Sequence, residues 1–279
     1  MFRMEIWVNM CGVPWEASVR KMNASRVKTA RVSRAKGRLG KRTAADKQTI
    51  EDLVAANHIL YAQSVLDGYG HVSARHDLTP DRFWLSRSMA PGLVTAGDIL
   101  EFDLSGEPVD AQGRPTYAER FIHSEIYRRR PDVKAIVHSH SPAVIPFGVT
   151  SVPLKPIFHM SGFLGAGVPV FEIREIAGDT DMLIRNAGLG AALALRLGDK
   201  PAALMRGHGS LAVGISLPQA VFRAIYLEIN ARLQSEAMRL GSINFLTSGE
   251  AKLAATSNDI HLTRPWDLWK HEITKRNSA

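Results

Sequence analysis

Ala135-Ile136-Val137-His138-Ser139-His140-Ser141-Pro142 is the stretch on which the reading of this chain turns. An apolar run ends in two histidines one residue apart. In a β-strand successive side chains take opposite faces, so His138 and His140 share a face about 7 Å apart along the backbone. That spacing suits two imidazoles converging on one metal ion. Ser141-Pro142 reads as a helix start, with proline in its first turn. A lone His-x-His is a weak signal, which chance or a hydrogen-bonded pair also produces. Its company strengthens it: Glu119 and His123 lie upstream at helical spacing, and Arg206-Gly207-His208-Gly209-Ser210 follows downstream.

Outward from that strand, the chain alternates helical and extended patterns. Beyond Thr43, Ile50, Leu53, Val54, Leu60 and Tyr61 fall on one helical face, and the helix is expected to end near Asp67-Gly68, where glycine supplies a left-handed cap. Gly70 to Arg75 and Phe83 to Ser86 read as short strands joined by a turn over 77–81. Ser86-Arg87-Ser88-Met89-Ala90-Pro91-Gly92 is a polar loop, either an anion cradle or a plain surface turn. Ile99 to Leu104 alternates apolar and acidic residues, the mark of a half-buried strand, with a partner strand near Pro108-Val109. Pro115-Thr116 opens a helix running to Arg130. Thr116-x-x-Glu119 there fits a capping box, which spacing alone favours, and the alternative places Glu119 with His123 on a functional helix face. Val144 to Gly148 is a short helix, and 155–167 is a loop whose His159 either supports the site or packs in the core. Val168 to Phe171 is a strand, and Met182 to Leu197 a helix ended by Gly198. Pro201–Arg206 and Ser210–Gly214 form a hairpin with His208 at its tip. Ser216-x-x-Gln219 begins the last long helix, and Trp266 and Trp269 in the C-terminal extension from about 246 pack on a neighbouring subunit or on their own domain.

At 279 residues the chain has room for a substantial core, and 45% hydrophobic with 22% charged residues is ordinary for a globular protein. Its net charge of +8 belongs to one end. Residues 1–42 carry 11 Lys/Arg against Glu5 and Glu16, whereas the remaining 237 residues hold 24 bases and 25 acids. Residues 1–43 therefore read as a disordered basic leader, from a tail or an early start codon, with a targeting peptide as the alternative. Residues 44–279 read as a single catalytic domain. Nucleic-acid binding needs a basic face on the folded body, which is not visible. No apolar run approaches the roughly 20 residues of a spanning helix. The single cysteine, Cys11, excludes an internal disulfide framework and fits the cytoplasm. No GxGxxG or Walker-type loop is present, so neither NAD nor ATP is expected.

His138, His140 and His208 thus form a candidate ligand set. Neutral imidazole is the commonest protein ligand for zinc and suits several other divalent metals. Three protein ligands leave positions open, as catalytic sites do. A carboxylate such as Glu119 supplies the proton transfer at carbon that a metal cannot.

Glu119-Arg120-Phe121-Ile122-His123, Arg130 through Ser141, and Arg206-Gly207-His208-Gly209 together resemble the signature of the class II aldolase/adducin family, over about residues 44–245. The resemblance implies an α/β fold, a three-layer α/β/α sandwich around a mainly antiparallel sheet, assembled as a homotetramer. It implies that His138, His140 and His208 bind a divalent metal, with zinc first and Mn, Co or Fe as alternatives, and that Glu119 is the acid/base. Adducin heads share the fold but lack the metal histidines, all three of which stand here.

Two departures bear on substrate. Sugar-phosphate members show Gly-Asn-x-Ser, where this chain has Gly70-His71-Val72-Ser73. Their small phosphate loop is replaced by Ser86-Arg87-Ser88-Met89-Ala90, whose Arg87 offers a planar fork matched to a carboxylate. The variant is similar to the branch of decarboxylases acting on hydroxylated aromatic carboxylic acids such as dihydroxyphthalates. The expected substrate contacts are His71, Ser73, Ser86, Arg87, Ser88, His123 and His159. The expected activity is a metal-dependent lyase, a decarboxylase in aromatic catabolism, on a small hydroxy-carboxylate. The alternatives are an aldolase or epimerase acting on a sugar phosphate or 2-oxo acid, and a non-catalytic adducin-like assembly module.

Overall fold

Thr43 caps the first helix, α1 (Ala44–Ala62): its hydroxyl accepts from the Asp46 N–H while the Asp46 carboxylate accepts from the Thr43 N–H. The computed structural model describes residues 43–278, so the expectations for the basic leader lie outside the described residues. Helix α1 stops short of Asp67-Gly68. Ser64 adopts a left-handed φ of 59°, and the amides of Val65 and Leu66 both return to the Leu60 carbonyl. That tight turn tucks Val65 and Leu66 into the core, which a continuing helix would not do.

A three-stranded meander follows: β1 (His71–Arg75), β2 (Arg82–Ser86) and β3 (Ile99–Asp103). The expected partner at Pro108-Val109 reduces to a single bridge between Phe102 and Pro108. Helix α2 (Arg120–Arg129) leads into β4 (Ala135–Ser139), the strand of the His-x-His motif. Beyond it come α3 (Ile145–Val149), a 3-10 helix over His159–Ala166, β5 (Val170–Phe171), α4 (Arg174–Ala177) and α5 (Ala187–Leu197). The expected hairpin is present as β6 (Ala202–Met205) and β7 (Gly209–Gly214). Three helices finish the described chain: α6 (Leu217–Leu240), α7 (Ser248–Ile260) and α8 (Thr263–Ser278). Helix α6 is therefore not the last.

Among the described residues the strands form one sheet in the order β3-β2-β1-β4-β7-β6-β5, antiparallel throughout except for β5 against β6. Because side chains alternate across strands, the sheet separates two cores. Val72, Ala74, Trp84 and Val137 pack with α1 and α6, whereas Phe83, Leu85, Ile136 and Leu211 pack with α2 and α5. This is the expected three-layer sandwich. Its midline matters most, since β1, β4 and β7 lie side by side and His71 sits opposite His138.

Trp266 and Trp269 join the core on the α1 face, each 7% exposed. They pack on their own domain, as one of the two expectations held. No described helix is long and apolar enough to cross a membrane.

Candidate metal centre

Each metal-site residue is delivered by the end of an element. His138 lies inside β4, fully buried, on the face that carries Ile136 toward α2. His140 follows just beyond the strand, where Glu228 on α6 holds the next turn by accepting from the Ser141 hydroxyl and the Ala143 N–H. His208 sits in the tight β6–β7 turn, whose Gly207 takes a φ of 63° that a side chain resists. The next residue, Gly209, faces β4 at very short range: a Cβ there would meet the Ser139 carbonyl oxygen at 2.1 Å. Gly209→Ala should push β7 off β4 and separate His208 from its partners. The expected outcome is loss of metal binding in a chain that still folds, measured as metal content beside circular dichroism.

The His138 ring meets the other two edge-on, with centroids 5.1 Å apart for His138–His140 and 5.0 Å for His138–His208, and the tilted His140–His208 pair is 4.9 Å apart. One ligand atom from each, together with a Glu119 oxygen, fall within 4.8 Å of one another. The outward nitrogens are occupied: His138 Nδ1 donates to the Ser210 carbonyl at 3.2 Å, and His208 Nδ1 to the Met182 carbonyl at 2.9 Å. These bonds put the ring protons on Nδ1 and leave the Nε2 lone pairs facing inward. His138 Nε2 is buried without a hydrogen-bond partner, and the Nε2 atoms of His140 and His208 approach to 3.1 Å. The inward Nε2 lone pairs of His138 and His208 are groups that a bound cation would satisfy. The residues fit a divalent metal, and the structure therefore supports that expectation by the chemistry of its donors.

Glu119 does not cap α2. The helix begins at Arg120 and no side chain caps it; just upstream the Tyr117 hydroxyl donates to the Met89 carbonyl at 2.6 Å. The Glu119 carboxylate instead accepts from the Ile184 N–H at 3.0 Å through Oε1, and its Oε2 lies 3.5 Å from both His138 Nε2 and His208 Nε2. Burial pushes its carboxyl up, but the neighbouring His138 and His208 rings outweigh this and the carboxyl sits below the usual range. His140 is pushed down to about 4, by burial first and then by His138 and His208.

The loop before α5 was not legible in the sequence. Residues 182–186 were expected to be helical, yet the helix begins only at Ala187, capped by the Asn186 side chain, and Met182 adopts a φ of 64°. Through main-chain atoms alone this loop orients both His208, by the Met182 carbonyl, and Glu119, by the Ile184 N–H.

Beside the cluster lies a cavity of about 450 Å³ reaching from Glu119 and His140 past Tyr69, His71, Ser88, Met89, Tyr117 and Leu183. The other expected contacts divide. Ser73 and His123 are buried behind His71: His71 Nδ1 is 2.7 Å from His123 Nε2, and His123 Nδ1 is 2.6 Å from Ser73 Oγ. Ser86 is buried 3.2 Å from the Tyr117 hydroxyl. Arg87 does not line the cavity; its Nε donates to Asp98 at 2.6 Å, so a second loop has claimed the guanidinium intended for substrate. His159 is not brought to the site either. It is exposed on the 3-10 helix against α7, where the Asn258 side chain donates to its carbonyl. Tyr69, Tyr117 and Leu183, which the sequence did not single out, line the cavity as well. A second cavity of about 450 Å³ shares His140 and carries Asp67 and, from α8, Arg276.

Burial pushes His123 down to about 3, with His138 adding to the effect. A histidine whose folded value is depressed contributes stability that is complete above its unfolded value of about 6.5 and is lost as pH falls below it, because only the unfolded chain takes up the proton. At pH 5 this one group costs about 2 kcal/mol. The midpoint of urea unfolding, measured with chelator present so that metal release plays no part, should fall between pH 7.5 and pH 5. A constant midpoint would sink the assignment.

The fold and the site together define an α/β sandwich with a His/Glu cluster that could hold a metal ion. The chain belongs to the family described as Class II Aldolase and Adducin N-terminal domain, which matches residues 51–235. It is 39% identical over 248 residues to Decarboxylase tropJ of Talaromyces stipitatus, covering 80% of this chain and 93% of that one. It is 30% identical over 248 residues to the 3,4-dihydroxyphthalate decarboxylase of Terrabacter sp., covering 83% and 97%. Among solved structures, an aldolase II superfamily protein from Pseudomonas syringae superposes with a TM-score of 0.72 at 22% identity, over 85% of this chain and 96% of that one. That likeness bears on the fold.

Proposed function

We propose that this protein is a metal-dependent decarboxylase of a hydroxylated aromatic carboxylic acid, with residues 44–279 as its single catalytic domain. The observation that carries the reading is the pairing of one proton-carrying carboxylate, Glu119, with a three-imidazole ligand set at the mouth of a cavity walled by Tyr69, Tyr117 and Leu183. Flat aromatic and aliphatic walls suit a ring. The named activities of the two decarboxylase relatives support the same reading.

His138, His140 and His208 would hold the metal, zinc first with Mn, Co or Fe as alternatives, and when bound it supplies Lewis-acid stabilisation of negative charge on substrate oxygen. The chain's own residues do the rest. Glu119 takes the proton from a substrate hydroxyl and returns it to the ring carbon that bears the carboxylate. The C–C bond to that carboxylate then breaks, its electron pair restores the aromatic ring, and CO₂ leaves. The product phenolate regains a proton from water. His71 and Ser88 hold the departing carboxylate, in place of Arg87, which is engaged with Asp98.

The homotetramer and the cytoplasm are proposed with this reading, the first from the family resemblance and the second from the single cysteine. The test is product analysis over a panel of dihydroxyphthalates, dihydroxybenzoates and sugar phosphates. CO₂ release from the aromatic acids is expected. Aldehyde release from sugar phosphates would move the protein to the aldolases, and no turnover with no bound metal would leave an assembly module.

A further inference from the structure

Behind His71 runs a line of three buried polar groups, His123, Ser73 and Tyr127, that the proposed chemistry does not use. His71 Nδ1 is 2.7 Å from His123 Nε2, His123 Nδ1 is 2.6 Å from Ser73 Oγ, and Ser73 Oγ is 2.8 Å from the Tyr127 hydroxyl. None of the four residues is more than 3% exposed. The line begins at the cavity wall, where His71 stands, and ends in the apolar layer under α2, with the Phe83 ring 5.3 Å from the Tyr127 ring. Arg75 covers the Tyr127 ring at 4.6 Å, but its guanidinium donates to main-chain carbonyls and takes no part in the line.

Three hydrogen bonds joined end to end can point in only two directions, and the far end decides between them. Tyr127 is held protonated by burial, and Ser73 Oγ is the one hydrogen-bond partner its hydroxyl has among the described residues. If Ser73 donated to Tyr127, the phenolic hydrogen would be buried with no acceptor, which costs the full desolvation of a polar group. Tyr127 therefore donates to Ser73, and Ser73 donates to His123 Nδ1. A neutral imidazole carries one proton, so His123 presents Nε2–H to His71 Nδ1, and the His71 proton must lie on Nε2.

We infer that Ser73 and Tyr127 are positioning residues which, through His123, fix His71 as a neutral Nε2–H donor at the cavity wall. The cavity thereby favours a ligand with a hydrogen-bond acceptor at that place, a carboxylate oxygen above a neutral hydroxyl oxygen. The identity of that acceptor rests on the decarboxylase reading; the protonation pattern does not. The pattern also separates His71 from Glu119 in role. Glu119 moves a proton, whereas His71 keeps its own and offers it as a hydrogen bond.

Two measurements test this on the full chain. In ¹⁵N-labelled protein, long-range ¹H–¹⁵N spectra distinguish protonated from unprotonated ring nitrogens. His71 and His123 are both expected to show a protonated Nε2 and a bare Nδ1. Ser73→Ala should leave both the Tyr127 hydroxyl and His123 Nδ1 unpaired in either direction, so that nothing favours one direction and the two patterns mix, while Ser73→Thr, which keeps the hydroxyl, should restore the original. The reverse pattern in the unaltered protein, or an unchanged pattern in Ser73→Ala, would overturn the inference, and the unaltered protein suffices should the alanine variant not fold. The second measurement is binding of catechol and of 2,3-dihydroxybenzoate, which differ only by the carboxylate. Ser73→Ala should weaken the carboxylate ligand by about tenfold and spare catechol, whereas equal weakening of both would show a merely structural role and defeat the inference. A carboxylate that adds nothing in the unaltered protein would count against the decarboxylase reading instead, with the spectra still deciding the protonation pattern.

Discussion

Glu119→Gln is expected to keep its metal and lose turnover, with kcat reduced by roughly 10²–10⁴, the usual contribution of a positioned acid/base group. The amide is nearly isosteric, and its oxygen can still accept from the Ile184 N–H as Glu119 Oε1 does at 3.0 Å. The three imidazoles that would hold the metal are untouched. What disappears is the capacity to take a proton from a hydroxyl and hand it to carbon. A capping role would give the opposite result, a loss of about 1 kcal/mol of stability with activity intact. Metal analysis, thermal unfolding and single-turnover kinetics on one preparation separate the two. Activity within a factor of two of the unaltered protein would remove Glu119 from the chemistry.

His140→Ala should abolish stoichiometric metal binding, lowering affinity by more than about 100-fold, since loss of even an outer hydrogen-bond partner typically costs 10–100-fold. The consequence extends to stability. A ligand present at 1,000 times its Kd stabilises the fold by about 4 kcal/mol, and in a domain of this size each kcal/mol moves Tm by roughly 2–4 °C. Chelator should therefore lower the Tm of the unaltered protein by about 10 °C and leave that of His140→Ala unmoved. An equal response from both would mean that the metal sits elsewhere or that none is bound. His140 is the informative choice because it lies at the end of β4 and is only partly buried, whereas the buried His138 would bring core disruption into the result.

Much of this arrangement was legible in the sequence, for identifiable reasons. Strand alternation is strictly periodic, so the His-x-His at the end of an apolar run and the histidine between two glycines gave local geometry that tertiary packing had no cause to change. Spacing alone favours a capping role for Glu119, and the family resemblance reverses that order. In the structure the helix starts at Arg120 without a side-chain cap, and the Glu119 carboxylate accepts from the Ile184 N–H, 65 positions away, which the local pattern does not carry. Arg87 misled for a similar reason. Its type suits an anion, but Asp98, eleven positions on, meets it through loop geometry that no local pattern encodes. His159 lay in a stretch with no periodicity to place it, and the structure sets it against α7. The tryptophans of α8 were apolar residues beyond the family pattern, and their burial follows from packing on α1, a contact between the two ends of the domain.

The turn around Met182 to Ile184 carries a lesson for mutational surveys. Its carbonyl and its amide steady His208 and Glu119, the proposed ligand and the proposed acid, at once, and both are features of the peptide bond that every residue except proline offers. A side-chain scan would register the buried Ile184 and the cavity-lining Leu183 and miss this main-chain role. Only changes that alter chain length, or that delete the amide hydrogen itself, would reveal that two unlike parts of the machinery hang from one bracket and cannot be retuned separately.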